Sequence, residues 1–212
     1  MSKIKRVDYS YFNWGPYVMK TKLPDYFIEK LKIEGEKSNE SYNHYLAGHL
    51  DHQFAYPKDF QQWFYNEIQP VISAYRDGHC KYHGIENLMV EIRATDLWIN
   101  FMKAGDFNPS HIHGGDYTFV IFVDVPKELK KEQEEYEGTS AKPGSLMFEF
   151  TQQARPRWAT TGTAIKPETG DMYMFPAMLQ HWVAPFKSKV TRITVSGNLS
   201  IVNRNNLPSD YF

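Results

Sequence analysis

A single cysteine, Cys80, stands in the 212 residues. That leaves no means of building an intramolecular disulfide framework or a thiolate zinc cluster. Cys80 sits in the polar stretch 76–83, where a bystander role is simpler than thiol catalysis. No apolar run approaches the ~20 residues needed to span a bilayer, and the opening MSKIKR lacks the apolar segment of a secretion signal. Neither sign of charge prevails: 24 Lys and Arg against 25 Asp and Glu leave a formal net charge of −1. Such a balance gives no general attraction to nucleic acid or to acidic membranes. Internal repeats and low-complexity tracts are also missing. These absences together predict a soluble, cytoplasmic protein whose partner is neither nucleic acid nor membrane, and they carry no information on oligomeric state.

What is abundant is aromatic: 14 Tyr, 14 Phe and 5 Trp, enough to fill a core and wall a pocket without naming a ligand. The length suits one domain with a sizeable core, read here as a helix-rich support over 1–85 and a strand-rich part over 86–212. In the first part, 24–33 opens with Pro24 and places Phe27, Ile28 and Leu31 on one stripe. Phe60, Phe64 and Ile68 recur at four-residue spacing. Pro70 should bend this second helix or end its first part, with Val71, Ile72 and Tyr75 as its continuation. The entry over 7–19 reads as an edge strand.

From residue 88 the texture becomes that of strands, expected over 88–102, 117–125, 145–151, 160–166, 172–175 and 190–201, with Gly, Pro and Asp/Asn clusters between them. The expected class is α+β, its β part a sandwich or jelly roll flanked by N-terminal helices. Charged residues crowd 127–136, which reads as a solvated loop or short helix and, secondarily, as a lid over a pocket. In the last strand Arg192, Thr194, Ser196, Asn198 and Ser200 alternate with Ile193, Val195, Gly197, Leu199 and Ile201. The apolar face could enter a core with the polar face in solvent. Alternatively, the apolar face lies under the helices and the polar face lines a barrel interior.

The choice between these depends on a dispersed constellation. His111 and His113, two apart on an extended segment, point the same way. Asp116 follows after Gly114-Gly115. His181 comes after the strand-and-turn 170–176, and Arg192 after that. Histidines converging on one point, with a carboxylate nearby, make a metal site. Arginine's planar fork suits the carboxylate of an anionic co-substrate, and Thr194 shares its strand face.

Four stretches carry a resemblance: 98–111 (Trp98 to His111), 116–126, 170–176, and His181-Trp-Val-Ala-Pro185 with Arg192-Ile-Thr194. In order and spacing they resemble the Fe(II)/2-oxoglutarate-dependent oxygenases, especially the compact prolyl-hydroxylase-like members of phages and bacteria. If the chain is phage-encoded, its cytoplasm is the host's. The resemblance covers the C-terminal half. It implies a double-stranded β-helix (a distorted, cupin-like jelly roll) with Fe(II) inside its open end, and 2-oxoglutarate and O2 as co-substrates. By that resemblance His111 and His181 are metal ligands, Arg192 and Thr194 anchor 2-oxoglutarate, and Asn100 also contacts it. The implied reaction hydroxylates a small molecule, peptide or protein side chain with release of succinate and CO2.

One position departs from the pattern, because His113 stands where the family's first motif has an acid. Three of His111, His113, Asp116 and His181 are therefore expected to be ligands, through either a three-histidine site or a triad completed by Asp116. Asp116 also suits a simple turn role. His-x-His followed by an acid resembles cupin metal sites as well. Two other functions thus stand beside the first: a cupin-type dioxygenase that does not use 2-oxoglutarate, and a non-catalytic metal- or ligand-binding jelly roll.

Overall fold

The computed structural model describes residues 3–11, 15–84, 90–150 and 162–202. The chain opens with the hairpin β1 (Tyr9–Tyr11) and β2 (Met19–Lys22), then α1 (Asp25–Lys37), β3 (Glu40–Ser41), a 3-10 turn (Asn43–Tyr45), β4 (Gln53–Ala55) and α2 (Lys58–His83). There follow β5 (Ile92–Met102), β6 (Asn108–His111), β7 (Tyr117–Asp124), α3 (Lys127–Glu135), β8 (Leu146–Glu149) and β9 (Gly162–Ile165). The last strands are β10 (Asp171–Pro176), β11 (Gln180–Val183) and β12 (Arg192–Ile201).

The helical stripes become the packing faces. On α1 the buried residues are Phe27, Ile28, Leu31 and Gly35, a one-sided pattern at helical period. Gly35 has no room for a side chain, because a Cβ there would stand 2.8 Å from the Tyr56 hydroxyl and overlap Ile99. On α2 Pro70 neither ends the helix nor divides it. A proline inside a helix costs about 3 kcal/mol, but Val71, Ile72 and Tyr75 are buried beyond it. Each such side chain contributes ~1.5–3 kcal/mol by leaving water, so packing prevails. Gly84, at φ 68°, closes the helix by donating its N–H to the Cys80 carbonyl.

The strands form two antiparallel sheets, an eight-stranded one in the order β1-β2-β10-β7-β12-β5-β4-β3 and a four-stranded one in the order β6-β11-β8-β9. This is the jelly roll that the strand pattern led us to expect, with helices on its outer face. One core lies between the helices and the large sheet and includes Phe27, Phe64, Ile68, Ile99, Phe119 and Val195. A second lies between the sheets around Phe122, Phe148, Tyr173, Phe175 and Val183. In β12, Ile193, Val195, Leu199 and Ile201 belong to the first core, whereas Arg192 and Thr194 are buried facing the other way. The polar face of this strand therefore lines the interior.

Some boundaries shift from the sequence reading. Of the edge strand expected over 7–19, β1 and the first residue of β2 are strand, and its residues 12–14 lie outside those described. Of 160–166 the described strand is Gly162–Ile165, 160–161 also lying outside, and of 145–151 it is Leu146–Glu149, with 151 outside as well. No described helix is long and apolar enough to cross a membrane.

Candidate metal centre

Strands β6 and β11 pair antiparallel, and their register sets His111 directly opposite His181. Two short strands that look unrelated in sequence thus deliver two imidazoles to one point. His113, just past β6, is held by its backbone N–H, which donates to the Ala177 carbonyl at 2.9 Å. Candidate ligand atoms of the three rings all lie within 4.8 Å of one another.

Their tautomers follow from their neighbours. His111 Nδ1 lies 2.7 Å from the Pro109 carbonyl and His181 Nδ1 lies 2.8 Å from that of Leu179. A carbonyl only accepts, so both Nδ1 atoms carry the proton and both Nε2 atoms keep a free lone pair. The Nε2 atoms of His113 and His181 are 3.1 Å apart. Adjacent ligands on one ion with ~2.1 Å metal–nitrogen bonds stand about 3 Å apart, so the rings fit a shared metal. Phe175 packs edge-on to His181 at 4.9 Å, and Trp98 lies 5.7 Å from His113. Burial within this apolar collar, reinforced by the other imidazoles, lowers His113 to about 4 and His181 to about 3. Desolvation also lowers His111. All three are neutral at pH 7, the form that binds a metal.

Asp116 does something else. Its Oδ2 accepts the Ile201 N–H at 2.7 Å, and its own N–H donates to the Leu199 carbonyl. It straps the ligand loop to the end of β12, and the converging group contains histidines alone. Of the four residues expected to share the metal, Asp116 is the one the fold sets apart. Its backbone and carboxylate satisfy a strand end that would otherwise lose partners.

A cavity of about 180 Å3 opens beside the three rings, and Arg192, Thr194 and Asn100 line it with them. Arg192 is only 3% exposed. Its Nη1 donates to the Gly144 carbonyl at 2.7 Å, and its guanidinium lies 5.6 Å from the Phe122 ring centre. Burial pulls its pKa down to about 10, and its Nε has no partner among the described residues. A buried guanidinium with a free N–H is a receptor for a carboxylate. Thr194 pairs across the sheet with Asn100, and Asn100 Nδ2 donates to Thr194 Oγ1 at 3.2 Å.

Gln53 is a cavity residue that the sequence reading missed. It comes from β4, far before the metal motif, and nothing in Asp51-His-Gln-Phe-Ala55 marks it. Only the pairing of β4 with β5, which sets Gln53 opposite Asn100, brings it in. Tyr45, Leu46 and Ala47 make another part of the wall. The charged segment is the helix α3, buried only at Leu129 and Gln133. It does not line the histidine cavity but borders a separate outer groove of about 1040 Å3. Glu132 fastens it there by accepting the N–H groups of Lys187 and Ser188.

Residues 96–198, which carry every one of the expected site residues, match the family model described as "Putative 2OG-Fe(II) oxygenase". This segment belongs to the 2OG-Fe(II) oxygenase family. Solved oxygenases share the fold around it. The viral collagen prolyl hydroxylase of Paramecium bursaria Chlorella virus-1 is 17% identical with a TM-score of 0.54, covering 95% of this chain and 100% of its own. HygX of Streptomyces hygroscopicus, solved with nickel, 2-oxoglutarate and hygromycin B, is 10% identical with a TM-score of 0.57, covering 89% and 83%. A prolyl-4-hydroxylase of Pseudomonas putida is 12% identical with a TM-score of 0.51, covering 88% and 93%. At these identities the likeness is one of fold. No curated protein sequence matches the chain.

Proposed function

We propose that this oxygenase is an Fe(II)- and 2-oxoglutarate-dependent hydroxylase, with His111, His113 and His181 as the protein ligands and Arg192 as the anchor of the 2-oxo acid. The observation that carries the reading is the coincidence of two features in one cavity. Three neutral imidazoles converge there, and a buried guanidinium keeps an unpartnered N–H. A metal centre alone accounts for the first feature but not the second.

Iron bound there with 2-oxoglutarate and O2 supplies the oxidising chemistry, whose co-products are succinate and CO2. The chain's own residues bind, orient and exclude water. The carbonyls of Pro109 and Leu179 hold two imidazoles in the metal-binding tautomer. Arg192 takes the distal carboxylate of the 2-oxo acid and Thr194 donates its hydroxyl beside it. Phe148, Phe175 and Trp98 keep the rings dry, and Asp116 fixes the loop that presents His113. The substrate belongs to the peptide or small-molecule classes. One structural neighbour is a collagen prolyl hydroxylase and another holds hygromycin B. The family match favours neither a cupin-type dioxygenase nor a non-catalytic jelly roll.

Anaerobic titration of the metal-free protein with Fe(II), then 2-oxoglutarate, tests the reading. A visible charge-transfer band should grow with 2-oxoglutarate at one equivalent of iron. Its absence at demonstrated iron occupancy would refute the proposal.

A further inference from the structure

The residues behind Thr194 form a chain of hydrogen bonds with one direction. Gln53 Nε2 donates to Asn100 Oδ1 at 2.8 Å, and Asn100 Nδ2 donates to Thr194 Oγ1 at 3.2 Å. Gln53 and Asn100 are 1% and 6% exposed and Thr194 is 3% exposed, so the line is shielded from bulk water. An amide's oxygen only accepts and its nitrogen only donates. Once Gln53 donates, Asn100 is obliged to present its amide nitrogen to Thr194. The Thr194 hydroxyl, with one lone pair already accepting, keeps its own proton available to donate forward. Thr194 lines the same cavity as Arg192. The far end of the relay is anchored too: Gln53 N–H donates to Asn43 Oδ1, while Asn43 Nδ2 donates to the carbonyls of Leu50 and Asp51. Gln53 Oε1 is buried and without a partner among the described residues.

Resting on the 2-oxo-acid reading above, we propose that Gln53 is a positioning residue that sets the polarity of Asn100. It thereby orients the Thr194 hydroxyl to donate to the distal carboxylate of the dicarboxylate co-substrate. The relay selects for an acceptor at that end and so discriminates a 2-oxo dicarboxylate from a 2-oxo monocarboxylate. Gln53 lies outside the residues matched by the family model, so this device belongs to the chain's own N-terminal strand.

The test measures binding of 2-oxoglutarate and of pyruvate, which lacks the distal carboxylate, to the full-length protein loaded with Ni(II) under matched metal occupancy. Gln53→Leu should raise the Kd for 2-oxoglutarate about tenfold, the scale of one hydrogen bond to a charged group. The Kd for pyruvate and for the metal should stay within about twofold, the scatter of independent sites. In a Thr194→Val background, Gln53→Leu should add almost nothing, since the relay then ends on a methyl group. Gln53→Met, which keeps the side-chain length, serves if Gln53→Leu does not fold. Equal losses for both oxo acids, or the same loss with and without the Thr194 hydroxyl, would make Gln53 a structural residue and overturn the relay. If the metal-loaded wild type binds no 2-oxoglutarate, the reading of the site falls and the relay with it. Binding to wild type that Arg192→Ala abolishes, but Gln53→Leu leaves alone, defeats the relay only.

Discussion

Arg192→Met separates what the cavity does for the fold from what it does for a ligand, because the two effects have opposite signs. In the ligand-free protein the guanidinium is buried, and that burial pulls its pKa from 12.5 to about 10. By linkage this costs the charged form roughly 3 kcal/mol. Against this stands one hydrogen bond, Nη1 to the Gly144 carbonyl, whose loss leaves a buried acceptor unsatisfied at ~1–2 kcal/mol. Methionine fills similar space beside Phe122 and Leu146 without a charge. The variant should therefore be more stable than wild type by about 1–2 kcal/mol, a rise of roughly 2–8 °C in Tm for a chain of this size. When a dicarboxylate is bound, the balance reverses. Removing one member of a buried charge pair costs about 3–5 kcal/mol, two to three decades or more in affinity.

Thermal melts of the metal-free proteins, followed by calorimetric titration of the metal-loaded proteins with 2-oxoglutarate, measure both effects. The expected result is a raised Tm together with 2-oxoglutarate binding weakened at least ~100-fold and unchanged metal affinity. Retained 2-oxoglutarate affinity would show that Arg192 does not anchor the ligand. A Tm lowered by several degrees would show it to be a strut for Gly144, and the argument from its free Nε would fail.

Other perturbations follow from the same geometry. His113→Ala should weaken metal binding by more than the ~10–100-fold typical of losing a supporting hydrogen-bond partner, whereas Asp116→Asn, still able to accept from Ile201 N–H, should leave it nearly unchanged; equilibrium dialysis against Ni(II) distinguishes them, and the reverse order would restore Asp116 as the third ligand. The metal-free protein should lose stability as pH falls below about 6.5. His79, His113 and His181 are held neutral down to about 4, 4 and 3, so the unfolded chain binds the extra protons. Each contributes a slope of ~1.4 kcal/mol per pH unit, and urea midpoints that do not change between pH 7 and 5 would contradict the burial of these rings. Gly78→Ala should destabilise by about 1–3 kcal/mol despite alanine's better helix propensity, because its Cβ would overlap the hydroxyl of buried Tyr17 and stand 2.8 Å from its Cζ. A chemical melt showing Gly78→Ala as stable as wild type would mean that this contact is loose.

Legibility in the sequence tracks how local each determinant is. The stripe Phe27, Ile28 and Leu31 and the alternation from Arg192 to Ile201 are one-dimensional patterns, and both became packed faces. His111 and His113 share a side because an extended backbone makes it so, but their meeting with His181 is a matter of strand register, which no local pattern states. Pro70, read as a bend or an end, does not end α2, and Val71, Ile72 and Tyr75 continue it as expected. The proline's cost is local and legible, while the burial that offsets it comes from side chains packed across the whole length of α2. Asp116 carried a chemically suitable group at a suitable distance along the chain, yet the Ile201 N–H claimed it. Gln53 was invisible altogether, since its role exists only through the pairing of β4 with β5.

The charge of the cavity joins these separate placements. Among the described residues that line it are three neutral imidazoles, one guanidinium and no carboxylate. With histidine in the place of the expected acid, a divalent ion bound there would add its full charge to that of Arg192. No lining group would neutralise either one. A ligand carrying two negative charges, one at the metal end and one at the Arg192 end, offsets part of the ion's charge and pairs the guanidinium at once. The departure at His113 therefore strengthens the case for a dicarboxylate co-substrate. It also requires metal and dicarboxylate to bind cooperatively, each raising the other's affinity by the same factor.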